Sequence, residues 1–249
     1  MAKVLWMPIV SGGGSTMGAI LAAHKSGRLS DLQPMCCIAT RDGLGAYDRW
    51  CAAGMPPSRY HVIPKSQRRT PEEFSEQLFP YVERYGIELV GLHGCTVLIP
   101  DPFTTWFGCK IYNQHPGWMD PVPEGEPRRR DFGGNGMRGL VVHEATRLFM
   151  LEYARREEPF TEATAHVAVP GYDRGPLLKT VRMPLFAGDT AASIAARLLP
   201  LEHELQIHVL ELYLAGTATP YYRNEPGVQP HEYEAHERAV REAIATTIP

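Results

Sequence analysis

The chain is short of cysteine, of long apolar runs and of net charge, and each shortage removes a class of function. Its five cysteines, Cys36, Cys37, Cys51, Cys95 and Cys109, form no C-x-x-C pair. An odd number of thiols set mostly among apolar neighbours reads as reduced side chains of a cytosolic protein, neither a disulfide framework nor a thiolate metal site. No apolar stretch approaches the roughly 20 residues that a membrane-spanning helix needs. The N-terminus, Met1-Ala2-Lys3-Val4-Leu5-Trp6, goes straight into a strand-like run without a signal-peptide cleavage pattern, so a cytoplasmic location is expected. A formal net charge of -3 argues against a general nucleic-acid binder. Internal repeats and low-complexity tracts are also missing. What remains is a chain of 249 residues, 44% hydrophobic and 21% charged, long enough for one α/β domain or two small ones around a substantial core.

The first half alternates strand and helix. Lys3–Val10 reads as a buried strand, Ser15–Ser26 as a helix, Gln33–Ala39 as a second strand, and Asp42–Ala53 as a helix capped by Asp42 and closed by Gly54. Tyr60–Ile63 is a short strand. Thr70 is placed to cap a helix that opens with Pro71-Glu72-Glu73 and runs to about Tyr85. Ile87–Leu92 and Cys109–Tyr112 are further strands. This order predicts an α/β, Rossmann-like, mostly parallel twisted sheet with helices on both faces. The stretch from Pro116 to Gly136, dense in Pro, Gly and charge, is a long loop of the kind that often carries function. After it come a helix from Leu140 to Arg156, strands at Ala163–Val169 and Leu177–Met183, and a helix over Asp189–Leu214 with Pro200 inside it. A last amphipathic helix is expected over Glu232–Ala245.

Two segments carry chemistry. Ser11-Gly12-Gly13-Gly14-Ser15-Thr16 lies between the first strand and the first helix. Glycines let backbone approach a ligand, and a helix N-terminus offers free N–H groups and positive potential, so a phosphate is one natural guest. A tight turn without a ligand is the other reading. Neither the dinucleotide G-x-G-x-x-G nor a Walker loop fits this spacing. The second segment is Asn113-Gln114-His115-Pro116-Gly117, at a strand's carboxyl end, where α/β sheets place their sites. Asn113 and His115 share a side if the chain stays extended. An amide can hold a carbonyl oxygen, an imidazole can carry a proton, and a carboxylate such as Asp173 can orient the imidazole or a water. A turn in which Asn and His satisfy backbone groups fits the same letters. His143-Glu144-Ala145-Thr146-Arg147 falls one histidine short of a zinc H-E-x-x-H helix and reads as a surface His–Glu pair. His203 and His208 sit on different helical faces, and Arg128-Arg129-Arg130 fits either an anion contact or a solvated loop run.

Three blocks resemble the 10-formyltetrahydrofolate-dependent formyltransferases, most of all the branch that formylates glycinamide ribonucleotide in purine synthesis. They are Val10 to Ile20, Asn113-Gln114-His115-Pro116-Gly117, and the long block from His166-Val167 through Tyr172-Asp173-Arg174-Gly175-Pro176 to Asp189-Thr190 and Glu202-His203. The likeness covers most of residues 1–215, with an inserted loop and helix at about 118–161 and a tail at 216–249 that carries a short helix. It implies a folate-dependent formyltransferase in which Asn113 holds the formyl oxygen, His115 moves the proton and Asp173 orients His115. It further implies that Gly13, Gly14, Ser15 and Thr16 bind the acceptor's phosphate and Glu202 binds the substrate. The folate pocket falls on Thr96, Val97, Leu98 and Ile99 and on Val169, Pro170, Gly171 and Tyr172. The donor cosubstrate would be 10-formyltetrahydrofolate, with no metal, and the partners would be that folate and a small phosphorylated amine, on a monomer or homodimer. After Pro116 the chain leaves the family pattern, where the amine acceptor is normally contacted. Formylation of another amine such as an amino sugar nucleotide, hydrolysis of formyltetrahydrofolate, and non-catalytic binding of folate or nucleotide are the alternative readings.

Overall fold

Val4–Val10 is apolar at nearly every position and forms β1, buried along its last five residues, as expected of a strand covered on both faces. The computed structural model describes residues 3–65, 70–100, 103–107 and 110–247. Of the cysteines, Cys109 lies outside these residues. Cys36, Cys37, Cys51 and Cys95 are free thiols, and burial pushes Cys36 up to about 12. Two compact units are distinguished, 1–114 with 167–171 and 206–219, and 115–166 with 172–205 and 220–249.

The first unit follows the expected strand–helix alternation. After β1 come α1 (Ser15–Lys25), β2 (Leu32–Pro34), β3 (Cys37–Ala39), α2 (Ala46–Ala52), β4 (Tyr60–Val62), α3 (Pro71–Glu76), α4 (Phe79–Tyr85), β5 (Leu89–His93), α5 (Phe103–Phe107) and β6 (Ile111–His115). All its strand pairs are parallel: β1 with β2, β3 and β5, β3 with β4, and β5 with β6. The chain winds outward from β1 to β4, then returns to β5 and β6 on the other side. The carboxyl ends of β1 and β5 therefore flank a topological switch point, where open α/β sheets bind ligands. Met7, Ile9, Ile38, Phe74, Leu78, Val90, Leu92 and Ile111 form the core beneath it.

Three expectations in this unit are corrected. The single strand over Gln33–Ala39 is two: β1 pairs with Leu32–Pro34 through Val4–Trp6, and the ladder resumes with Ile38–Ala39 only at Ile9–Val10. Asp42 caps nothing: Gly43 has φ +69°, outside helical space, and α2 starts only after Gly45. The helix expected from Pro71 to Tyr85 is also divided. Thr70 and Glu73 form the reciprocal capping box, but Pro80 lacks the N–H that would bond to the carbonyl of Glu76, so a new helix starts at Phe79 with Pro80 in its first turn.

The second unit contains β7 (Phe160–Val167) and β8 (Leu177–Pro184), antiparallel with a register shift at Ala165/His166. Its helices are α6 (Leu140–Arg147), continued by a π-helical stretch at Leu148–Tyr153, the first turns of α7 (Ala191–Leu214), and α8 (Tyr233–Thr247). Thr190 accepts the N–H of Ser193 at the start of α7, and Asp189 bonds Ser193 and Arg197, so the side chain that caps α7 is Thr190. Residues 116–139 form the predicted loop. Its arginines are tied down in part: Arg129 binds Asp120 and the carbonyls of Arg223 and Asn224, Arg130 binds Glu237, and Arg128 binds the carbonyl of Gly133, while Arg128 and Arg130 stay exposed to solvent. The loop is thereby fastened to the C-terminal segment. Trp118, buried and stacked on Arg156, fills the space over Gly227, where a Cβ would fall 1.4 Å from its ring. Gly227→Ala is expected to lower stability by about 3 kcal/mol, the upper end for overpacking, as read from the denaturant midpoint. An unchanged midpoint would show that Trp118 does not sit there.

Candidate active site

In the first unit the ligand-facing groups gather at the switch point. The glycine loop leaves β1 and enters α1 at Gly14, whose φ is +69° and whose Cβ would lie 2.8 Å from that of Ala46, so only glycine fits. A Cβ at Gly12 or Gly13 would meet nothing within 4 Å. Helix α1 has no side-chain cap and no acidic residue in its first turn. Its first N–H groups thus keep their positive potential for an anion. The Ser11 hydroxyl accepts from Thr40 at 2.8 Å and from the Thr96 N–H at 3.0 Å, which ties the loop after β5 to the loop after β1. Thr16 donates to Gln114 at 3.2 Å, and Arg49 donates to the Gly13 carbonyl at 2.9 Å. The turn of Gly13, Gly14, Ser15 and Thr16 is therefore joined through Thr16 to Gln114 of the second motif. Asn113 lies on β6 opposite Leu92 of β5 and is half-buried. Of the predicted folate residues in this unit, Thr96 is exposed, Val97 and Leu98 are half-buried and Ile99 is in the core. Val169, Pro170 and Gly171 follow β7 in a bend, with Gly171 at φ +97°.

In the second unit His115 and Asp173, distant in sequence, meet. His115 Nδ1 is 3.4 Å from Asp173 Oδ2, and its Nε2–H donates to the Phe132 carbonyl at 2.8 Å. Asp173 also faces His166 Nε2 at 3.6 Å and accepts the Gly134 N–H at 2.9 Å. Burial acts to raise the Asp173 carboxyl, but the charge of His115, the hydrogen bond and charge of His166, and the Gly134 N–H outweigh it, holding the group well below the usual carboxylate range. Near neutrality it is an anion facing two imidazoles. Asp173 has φ +52°, a left-handed conformation that Asp and Asn tolerate better than most residues. Gly133 must be glycine, since its Cβ would come 2.9 Å from that of Asp173. Gly117 is pinned likewise: its carbonyl accepts from Thr164 at 2.8 Å, and a Cβ would lie 2.3 Å from Val142 of α6.

His166 is the partner that residue-by-residue reading missed. It opens the third sequence block, but nothing in its spacing relates it to Asp173. His143 is a correction: instead of belonging to a surface pair it is buried on α6, where burial and the charge of His115 push it down to about 4, and its Nδ1 has no partner among the described residues. Glu144 pairs with Arg147 instead. Glu202 is buried on α7, Tyr172 is exposed, and His208 pairs with Glu211. Among the described residues no group of three or more His, Cys, Asp or Glu is arranged to hold a metal ion, and no helix is long and apolar enough to cross a membrane.

The chain is 30% identical over 203 residues to the chloroplastic phosphoribosylglycinamide formyltransferase of Vigna unguiculata. It is 23% identical over 208 residues to the phosphoribosylglycinamide formyltransferase of Escherichia coli, covering 84% of this chain and 86% of that protein. The alignments take in 81% of this chain but only 62% and 58% of the length of the Arabidopsis thaliana and Vigna proteins. In structure it superposes on glycinamide ribonucleotide transformylase 1 from Symbiobacterium toebii with a TM-score of 0.69 and 22% identity, over 86% of this chain and 89% of the other. The mostly parallel, Rossmann-like formyltransferase fold is therefore the fold of this chain. No family model matches the sequence.

Proposed function

Starting from that likeness to the 10-formyltetrahydrofolate-dependent formyltransferases, we propose that this chain transfers a formyl group from 10-formyltetrahydrofolate to the amine of a phosphorylated acceptor, glycinamide ribonucleotide first. The observation that carries the reading is the buried His115–Asp173 contact, with Asn113 two residues before His115 on the same strand. The acceptor's neutral amine attacks the formyl carbon with its lone pair, and the carbonyl electrons move to oxygen. Asn113 donates its amide N–H to that oxyanion. A proton passes from the amine nitrogen, by way of His115 and water, to N10 of the folate. The C–N10 bond then breaks and the carbonyl re-forms, leaving a formamide and tetrahydrofolate. The carboxylate of Asp173 stabilises the imidazolium while the proton is in transit. Gly13, Gly14, Ser15 and Thr16 hold the acceptor's phosphate and Glu202 its polar groups. Thr96, Val97, Leu98 and Ile99, together with Val169, Pro170, Gly171 and Tyr172, bind the folate, mainly through backbone.

The test is incubation with 10-formyltetrahydrofolate and a panel of phosphorylated amines, following release of tetrahydrofolate. Release that depends on glycinamide ribonucleotide is expected. Release with no acceptor present would make the chain a hydrolase, turnover only with a different amine would move the acceptor, and folate binding without turnover would make it a binder.

A further inference from the structure

We propose that His236, on the C-terminal helix α8, is a positioning residue for the His115–Asp173 pair, acting through the turn Asp131-Phe132-Gly133-Gly134. The kinetic consequence rests on the formyl-transfer reading above; the structural link does not. This turn supplies one backbone group to each member of the pair, the Phe132 carbonyl to His115 at 2.8 Å and the Gly134 N–H to Asp173 at 2.9 Å. It belongs to no helix or ladder, and glycine occupies two of its four positions, so it needs outside support to hold both groups in place.

That support is visible on the other side of the turn. The Asp131–Phe132 peptide is gripped at both ends: its carbonyl accepts His236 Nε2–H at 2.7 Å, and its N–H donates to the Trp118 carbonyl at 3.0 Å. A peptide held at both ends is a fixed plane, and the next carbonyl along the chain is the one that meets His115. The Asp131 carboxylate closes the turn on itself, accepting the N–H groups of Asp120 at 3.0 Å and Gly133 at 3.2 Å. His236 also stacks on the Phe132 ring with centroids 5.0 Å apart. It is buried, and its Nδ1 has no partner among the described residues, so the ring makes one directed bond, the one to Asp131. Helix α8 thereby reaches the catalytic pair through the Asp131–Phe132 segment.

Substitution separates the hydrogen bond from the packing. His236→Phe keeps a ring against Phe132 and removes the donor, whereas His236→Gln restores an amide N–H near the position of Nε2. In the full-length protein His236→Phe is expected to lower kcat about 10- to 100-fold, as small misplacements of catalytic groups do, with KM for folate and amine and the Tm close to wild type. The ring-nitrogen resonances of His115, read by NMR in protein labelled at histidine, move in the same variant. His236→Gln recovers most of kcat and returns the His115 resonances. Glu237→Ala, which breaks only the surface pairs with Arg130 and Arg241, leaves both unchanged. Wild-type kcat and unmoved His115 resonances in His236→Phe would overturn the proposal, as would equal losses in the Phe and Gln variants that track a lowered Tm. Should the Phe variant fail to fold, the Gln variant decides alone: His115 resonances in place support the link, and displaced ones refute it. If the wild type transfers no formyl group, the functional reading falls, while the NMR comparison still tests the link.

Discussion

Asp173→Asn is expected to lower kcat for formyl transfer about a thousandfold or more while the fold stays intact, in line with other His–carboxylate pairs in which an amide replaces the acid. Asparagine matches the size of the side chain, tolerates the φ of +52°, and can still accept the Gly134 N–H through its carbonyl oxygen. What it lacks is the negative charge beside His115 on which the proposed proton transfer depends. Alanine would be a poorer probe, since at that φ it adds a backbone cost of about 1 kcal/mol to the loss of charge. A kcat within tenfold of wild type would remove Asp173 from the mechanism. The substitution also has a stability signature. Because the folded-state pKa of Asp173 is depressed, its stabilising contribution is complete at pH values above the unfolded value of about 3.9 and is lost as pH falls toward the folded value. Urea unfolding should therefore show the largest gap between wild type and Asp173→Asn near neutrality, and a shrinking gap below about pH 4. A gap that widened in acid would mean that the carboxylate is not held as described.

Asn113→Ala is expected to cost about 10²- to 10³-fold in kcat, the usual loss when one donor to an oxyanion is removed. Asn113 sits on β6 in register with Leu92 of β5, so its amide is aimed by a parallel ladder and not by a loop. Removing it should leave KM for folate nearly unchanged, because the interaction develops only as charge builds on the oxygen. Asn113→Asp is the sharper comparison. It is nearly isosteric but sets a negative charge against the developing oxyanion, so it should be slower than Asn113→Ala. An aspartate variant as fast as the alanine variant would show that position 113 does not meet the reacting oxygen.

Local chemistry accounts for what was legible in the chain. The apolar runs at Val4–Val10 and Leu89–His93 became the central parallel pair because residues buried on both faces leave no polar alternation. The Thr70–Glu73 capping box formed as its spacing predicted. Gly14 had to be glycine at the entry to α1, although the neighbour that forbids a Cβ, Ala46, is far along the chain. Other expectations failed where a local rule met a second one. Pro80 divided a helix that its flanking residues favour, and Gly43 removed Asp42 as a cap. His143 looked like half of a surface pair because a histidine beside a glutamate carries no mark of burial; the packing of α6 decided that.

The sequence by itself determined the alternating α/β order, the glycine turn into the first helix, and the identity of the amide, imidazole and carboxylate at Asn113, His115 and Asp173. Those follow from periodicity, turn chemistry and a family likeness, all of which act over short stretches. Only the tertiary structure decided that Asp173 faces two histidines, that Arg129 and Arg130 bind the C-terminal segment, and that the Asp131–Gly134 turn lies between α8 and the His115–Asp173 pair. The physical reason is range. A hydrogen bond or ion pair forms between whichever groups the packed chain brings within about 3 Å, and two residues a hundred positions apart carry no local signal that they will meet.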